Sequence, residues 1–254
     1  MHFMGGKVRQ SKDIWRFVDR AFKTNKYSMY IEPFCGGLSS AVYMRQKLPH
    51  GTFMQLSDND ESLISMWRAA LNGYKFPDGV TKEQYWEIRQ KNDPCNPLTA
   101  FCKYGLSFSG KPWGSFCGTH SYEGGLTKNQ YAIKGINKKI SILRNNYCSI
   151  SHGDYTNFIC VKNCVVYLDP PYDTGKDKIH GKGFDHKAFW EYVREMSMDN
   201  YVLITEFNAP DDFISVHSWG NTLATNNLAN TTKKVVSEQI FVYKYGQAAR
   251  TLGV

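Results

Sequence analysis

The chain has 254 residues, 42% of them hydrophobic, enough for one large domain or for a core with a smaller lobe. No apolar run approaches the roughly 18 residues that a membrane span needs, and the opening stretch MHFMGGKVRQSKDIW carries charge without an apolar segment, so neither a spanning helix nor a secretory signal is expected. The formal net charge is +8 and the pI about 9.0, a balance that weakly favours a polyanionic partner.

In chain order, Met4-Gly-Gly-Lys7 is a glycine turn followed by a cation, and read alone it is a flexible terminus. Five short apolar runs predict strands at Met29–Glu32, Thr52–Asp58, Tyr147–Ser151, Val165–Asp169 and Tyr201–Glu206. Helical patterns follow three of them, at Ser39–Gln46, Glu61–Leu71 and Phe184–Met196. This alternation predicts an α/β fold built on a parallel sheet with crossover helices. A late pair, Ser215–Leu223 and Lys233–Tyr243, flanks the turn-rich Ala224–Thr232 and predicts an antiparallel hairpin. About ninety residues separate the second strand from the third, far more than a connection normally uses. Residues 71–146 are therefore expected as an inserted lobe, and residues 1–70 with 147–254 as the domain that carries it. The insert holds Trp86 and a proline-rich joint, Asp93-Pro-Cys-Asn-Pro97.

The positive charge is concentrated in that insert. From Phe101 to Asn146, Lys103, Lys111, Lys128, Lys134, Lys138, Lys139 and Arg144 stand against Glu123 alone, interleaved with Tyr104, Phe108, Trp113, Phe116, Tyr122 and Tyr131. Cations among aromatic rings and glycines suit a nucleic-acid surface, and the plainer reading is a solvated loop. For the nucleic-acid reading, Lys103, Lys111, Lys134, Lys138 and Lys139 are the expected phosphate contacts. Ser107, Ser109, Asn129, Gln130 and Arg144 supply base-edge donors and acceptors.

Glu32, Asp58, Asp154, Asp169 and Glu206 each stand at or just beyond the carboxyl end of a predicted strand, the edge where open α/β sheets bind ligands. Glu32-Pro-Phe-Cys-Gly-Gly37 joins the first strand to a helix, with glycines that let a backbone approach a ligand closely. Asp58 follows Glu32 by 26 positions, where dinucleotide folds use an acid on ribose hydroxyls. Asp60 fits better as the N-cap of the helix starting near Glu61. Asp154, in His-Gly-Asp-Tyr155, is either an acceptor for a nucleobase amino group or a loop cap.

Val165-Val-Tyr-Leu-Asp-Pro-Pro-Tyr172 ends an apolar run on two prolines that fix their own φ and hold Asp169 and Tyr172 on either side of a stiff turn. Other chemistries find no support. Gly105-Leu-Ser-Phe-Ser109 lacks the spacing of a nucleophile elbow, and Pro94-Cys95 does not follow a strand. Seven cysteines form no CxxC pair, so reduced thiols are expected, and seven histidines make no HExxH pair, so no metal site is expected.

The ordered set MGGK, YIEPFCGG, LSDND, GDY and YLDPPY resembles the Dam-type DNA N6-adenine methyltransferases of the alpha group, over nearly the whole chain. Ile204-Thr-Glu-Phe-Asn208 and Lys234-Val-Val-Ser-Glu-Gln-Ile-Phe241 extend it. One departure stands in the cofactor loop, where the family often has a glycine and this chain has Leu38. The resemblance implies a Rossmann-like class I methyltransferase sheet with a C-terminal antiparallel hairpin and a target-recognition insert. It implies S-adenosyl-L-methionine as cofactor and double-stranded DNA as partner, with a cytoplasmic location in a bacterial or phage-infected cell. Asp169, Pro170, Pro171 and Tyr172 would be catalytic on an adenine flipped from the duplex. Phe3, Lys7, Glu32, Phe34, Gly36, Gly37, Asp58, Asp154 and Asp169 would form the cofactor pocket, with Asp58 on the ribose and Asp154 on the adenine. The alternatives are an RNA or cytosine-N4 methyltransferase on the same core, or a DNA-binding relative without catalysis.

Overall fold

A computed structural model describes residues 5–121, 124–144, 147–172, 183–220 and 237–254. Phe3, Tyr122, Glu123 and the turn-rich stretch 224–232, with the adjoining ends of the predicted hairpin strands, lie outside the described residues. Two compact units divide the chain, one of Met1–Asp19 with Met29–Asn157 and one of Arg20–Ser28 with Phe158–Val254. The strands follow the order β3-β2-β1-β4-β5-β7-β6 in a seven-stranded sheet. That order, with an antiparallel seventh strand, is the class I methyltransferase arrangement.

Helix α1 (Ser11–Phe22) precedes the strands. In the first unit β1 (Met29–Glu32), β2 (Phe53–Asp58) and β3 (Cys148–His152) pair in parallel, with Glu32 opposite Leu56 and Asp58 opposite His152. All three therefore deliver their acidic ends, or the turns after them, to one edge of this unit. Helix α2 (Ser39–Arg45) follows β1, and α3 (Glu61–Leu71) follows β2. Asp60 caps α3, accepting from the Leu63 N–H at 3.2 Å, and Leu63, Ile64, Met66, Trp67 and Ala70 fall on its buried stripe.

The insert exists, but it does not form a unit of its own: its elements fall in the first unit. It comprises α4 (Lys82–Lys91), the single turn α5 (Pro97–Ala100), a π-helical turn at Phe101–Gly105 and the long helix α6 (Lys128–Leu143). Capping boxes start both longer helices, Thr81 with Gln84 and Thr127 with Gln130. Ala132, Ile136, Ile140 and Leu143, at helical spacing, are the buried face of α6. The lobe's centre is Tyr85, whose ring meets Trp86, Trp113 and Phe116 and whose hydroxyl lies 2.7 Å from both Ser107 Oγ and the Gly114 carbonyl.

In the second unit β4 (Cys164–Leu168) and β5 (Tyr201–Glu206) are buried along their whole length and pair in parallel, Leu168 against Ile204. Helix α7 (His186–Asp199) begins two residues later than its apolar pattern, because the Asp185 carboxylate accepts from the Ala188 N–H at 3.0 Å and so fixes the start. Strand β6 (Phe213–Trp219) pairs antiparallel with β7 (Glu238–Tyr243), with a bulge between Ser215 and His217, and α8 (Gln247–Leu252) ends the chain. No helix among the described residues is long and apolar enough to cross a membrane.

Leu38, the departure in the loop before α2, is fully buried and left-handed, with φ 59°. An L-residue in that conformation costs about 1–2 kcal/mol, which its buried side chain offsets. Leu38→Ala should therefore destabilise by about 2–5 kcal/mol, the usual range for a buried leucine truncation. Leu38→Gly should be about 1 kcal/mol milder than Leu38→Ala, reversing the order found where φ is negative. Urea denaturation of the two variants measures the difference, and an alanine variant more stable than the glycine one would contradict it.

Candidate active site

The two units carry two groups of predicted site residues, each built on its own strands. In the first, the loop after β1 is held by side chains and backbone together. Glu32 is fully buried and accepts from the Tyr30 hydroxyl at 2.9 Å and from the Ser40 hydroxyl. The Cys35 N–H reaches the Ser57 carbonyl at 2.9 Å, and the Leu38 N–H returns to the Cys35 carbonyl at 2.8 Å. Gly36, at φ 45°, donates its N–H to Asp58 Oδ2 at 2.8 Å, and its carbonyl accepts from Trp67 Nε1 at 3.0 Å. The Gly37 carbonyl accepts from the Lys139 ammonium.

Asp58 joins this loop to the cap of α3. Its second oxygen accepts from the Asp60 N–H at 2.9 Å. Burial raises its carboxyl to about 6, with the neighbouring Asp60 charge adding to the shift and the two backbone bonds and Lys103 opposing it. Asp60 is more than a cap: besides Leu63 it accepts from the Ser62 hydroxyl at 2.6 Å, from Lys103 Nζ at 2.8 Å and from the Tyr104 hydroxyl at 2.5 Å. Burial alone would raise Asp60, but the ion pair and hydrogen bonds of Lys103 bring it below the ordinary carboxylate value. The same burial, with Asp60 alongside, pushes the Tyr104 phenol up.

Beyond β3, Asp154 Oδ1 accepts from the Thr156 N–H at 3.0 Å and from its hydroxyl at 2.7 Å, the geometry of a loop cap. The turn is tied to β2 by Ser57 Oγ on the Gly153 carbonyl at 3.1 Å. Tyr155 stacks on Phe34, ring centroids 5.5 Å apart and planes 26° from parallel, a half-buried aromatic pair above the loop. Lys7 is buried and donates to the Gly5 carbonyl at 3.0 Å.

In the second unit Asp169 stands one residue past β4. Its Oδ1 accepts from Thr205 Oγ1 at 2.8 Å and from the Tyr172 hydroxyl at 2.9 Å. The same hydroxyl is hydrogen-bonded to Glu238 at the start of β7. Burial, then the charges of Asp169 and Glu238, raise the Tyr172 phenol well above its ordinary value, so it stays a neutral donor. Its ring meets Phe207 edge-on, centroids 4.8 Å apart, which fixes the ring plane. Pro170 is buried and Pro171 half-buried between them. Thr205 and Glu238 had not been singled out. The signal for both is that they lie in Ile204–Asn208 and Lys234–Phe241, the two stretches that extend the resemblance.

Four of the expected DNA contacts have partners inside the protein. Lys103 is paired with Asp60. Ser107 is fully buried, and its carbonyl accepts from the Lys128 ammonium. Asn129 is buried with Oδ1 accepting from the Val80 N–H at 3.3 Å and Nδ2 donating to the Pro77 carbonyl at 2.8 Å. Lys139 is turned onto the loop after β1. In all four the polar side-chain or backbone atoms named are engaged inside the protein, with Ser107 and Asn129 buried and Lys103 and Lys139 half-buried. Gln130 likewise serves the α6 capping box. Lys111, Lys134 and Lys138 remain exposed, and Lys134 and Lys138 share one face of α6 with the exposed Tyr131. Among the described residues no cluster of His, Cys, Asp and Glu could hold a metal ion.

No family model and no curated protein matches the chain. Among solved structures, the Escherichia coli protein yhhF, a candidate methyltransferase, is similar over 96% of this chain and 97% of its own, at 7% identity and TM-score 0.39. HI0767 of Haemophilus influenzae, a candidate methylase, is similar over 95% and 97%, at 9% identity and TM-score 0.38. TrmN from Thermus thermophilus is similar over 84% of this chain and 42% of its own, at 10% identity and TM-score 0.37.

Because Asp60 combines a cap with two insert partners, Asp60→Ala should cost about 2–4 kcal/mol, against about 1 kcal/mol for a lost cap alone. Asp60→Asn keeps the cap and should recover at least half of that loss. Denaturant melts of the two variants test this, and equal losses below about 1 kcal/mol would leave Asp60 a plain cap.

Proposed function

We propose that this protein is an S-adenosylmethionine-dependent DNA methyltransferase acting on N6 of an adenine turned out of the duplex. The observation that carries the reading is the Asp169–Tyr172 turn, a rigid acceptor surface whose carboxylate is oriented by Thr205 and whose ring plane is fixed by Phe207.

The residues of the first unit fit the cofactor. Asp58 offers a half-buried carboxylate at the end of β2, and each of its oxygens, already taking one backbone N–H, has a second lone pair for a ribose hydroxyl. The Phe34–Tyr155 pair supplies an apolar aromatic surface for a purine ring, beside a loop whose glycine backbone allows close approach. Bound there, the cofactor supplies an activated sulfonium methyl group.

This chain's own groups prepare the acceptor. The Asp169 carboxylate and the Pro170 carbonyl would accept hydrogen bonds from the two N–H groups of the adenine amino group, drawing its nitrogen toward a tetrahedral shape. Tyr172 gives the base a flat partner, and extrusion makes the amino group reachable. No enzyme nucleophile is required, since positioning and electrostatics carry the step. Asp169 also stands where the proton surplus to the methylated amine can leave. Lys111, Lys134 and Lys138 suit the phosphate backbone, which holds register while other contacts read sequence.

The test is to incubate the protein with methyl-labelled cofactor and duplex DNA and to identify the labelled nucleoside. N6-methyladenine is expected, and label on cytosine N4, or in RNA alone, would overturn the substrate assignment. Asp169→Ala should lower the single-turnover rate at least a hundredfold while cofactor and DNA affinities stay within a few-fold of wild type. A variant keeping more than a tenth of the rate would sink the role given to Asp169.

The raised carboxyl of Asp58 adds a pH signature. Its acceptor form predominates above about 6. Cofactor affinity should therefore be level above neutrality and fall below that value, by up to about tenfold per pH unit for one proton taken up. Titration calorimetry across that range should show the step in wild type and not in Asp58→Asn.

A further inference from the structure

Lys139, like Lys128, is a cation of the insert turned inward, and it is the one that reaches the loop after β1. Its half-buried ammonium donates to the Gly37 carbonyl and lies 5.7 Å from the centroid of the Trp67 ring. Burial pulls it down to about 8, with no charge partner contributing. A cation desolvated in this way is expensive, and methionine or leucine at the same place on α6 would pack at lower cost. Its neighbour Lys138 points outward and is exposed.

What the ammonium touches gives it a role. Three consecutive peptides of the loop are each gripped by a side chain from elsewhere in the first unit. Asp58 holds the Gly36 N–H, Trp67 the Gly36 carbonyl and Lys139 the Gly37 carbonyl. All peptide bonds among the described residues are trans, so fixing a carbonyl also aims the N–H on the opposite side of the same peptide. Trp67 thereby aims the Gly37 N–H. Lys139 holds the Gly37–Leu38 peptide whose N–H closes onto the Cys35 carbonyl at 2.8 Å. Asp58 and Trp67 belong to the elements that follow β1 in any such sheet, whereas Lys139 comes from the insert.

We propose that Lys139 is a positioning residue for the cofactor loop: its ammonium, delivered by the insert, holds the Gly37 peptide and thereby sets the affinity for S-adenosylmethionine. This rests on the cofactor assignment above. The insert then contributes to both halves of the reaction through one helix, with Lys134 and Lys138 turned toward phosphate and Lys139 toward the loop.

The test compares wild type, Lys139→Met, Lys139→Arg and Lys138→Ala, with S-adenosylhomocysteine titrated as the probe. Duplex DNA binding is measured over a range of salt, and amide hydrogen exchange of the 32–38 loop is followed in ligand-free protein. Lys139→Met should weaken the probe about tenfold and speed loop exchange, leaving DNA affinity and its salt slope unchanged. Lys139→Arg should restore most of the lost affinity, which a merely space-filling role would not predict. Lys138→Ala should do the reverse, flattening the salt slope by about 0.9 with the probe's affinity unchanged. If Lys139→Met does not fold, Lys139→Gln, which keeps a donor, should give an intermediate loss. Wild-type probe affinity and loop exchange in the lysine variants would overturn the proposal, as would a loss of DNA affinity alone. Should wild type not bind the probe, the cofactor assignment fails, and loop exchange alone then decides whether Lys139 positions the loop.

Discussion

One carboxylate organises the first unit. Asp58 ends β2 with both oxygens committed to backbone N–H groups, one in the glycine loop and one at the cap of α3. Two segments that would otherwise meet solvent with unpaired donors are thereby fixed to a single side chain. The loop's left-handed turns at Gly36 and Leu38 can persist because their hydrogen-bonding groups are accounted for from outside the loop. Asp58 stays in place because the groups it serves are backbone, which cannot rotate away as a side chain can.

The two groups of acids in the molecule are managed by different chemistry. Asp60 is met by an ammonium and a phenol, so its charge is largely spent on holding the insert. Asp169 accepts from two hydroxyls, Thr205 and Tyr172, which fix its orientation just past β4. A hydroxyl donor orients a carboxylate, whereas an ion pair in a half-buried place also offsets its charge.

Much of the core was legible in the sequence. The strands at Met29–Glu32 and Tyr201–Glu206 and the helix at Glu61–Leu71 match their predicted bounds, because apolar runs closed by an acid leave little choice of end. Helix α6 was not legible as a helix, since its lysines drew the reading toward a basic loop. The Thr127-x-x-Gln130 box and the spacing of Ala132, Ile136 and Ile140 were the signals that could have shown it. Charge counting also misled at Lys103, Lys128 and Lys139, because composition records a cation without its direction. Of the seven cations between Phe101 and Asn146, Lys103, Lys128, Lys139 and Arg144 are spent on partners inside the first unit, and only the fold reveals which. Asp60 as a cap was readable, while its second job was not, since Lys103 and Tyr104 lie more than forty residues away.

The π-helical turn at Phe101–Gly105 bears on how the sequence of residues 71–146 can vary. It sets Lys103 and Tyr104, adjacent in sequence, on the same carboxyl oxygen of Asp60. Residues that follow one another on an ordinary helix point about 100° apart, so this convergence depends on local register. The insert is consequently not a cassette. A recombination that exchanged it at the ends of α3 and β3 would carry away the Lys139 support of the glycine loop together with the Lys103 and Tyr104 partners of Asp60. Sequence change is steered toward the outward face of α6 and toward Lys111, where exposed side chains can vary without disturbing the loop beneath.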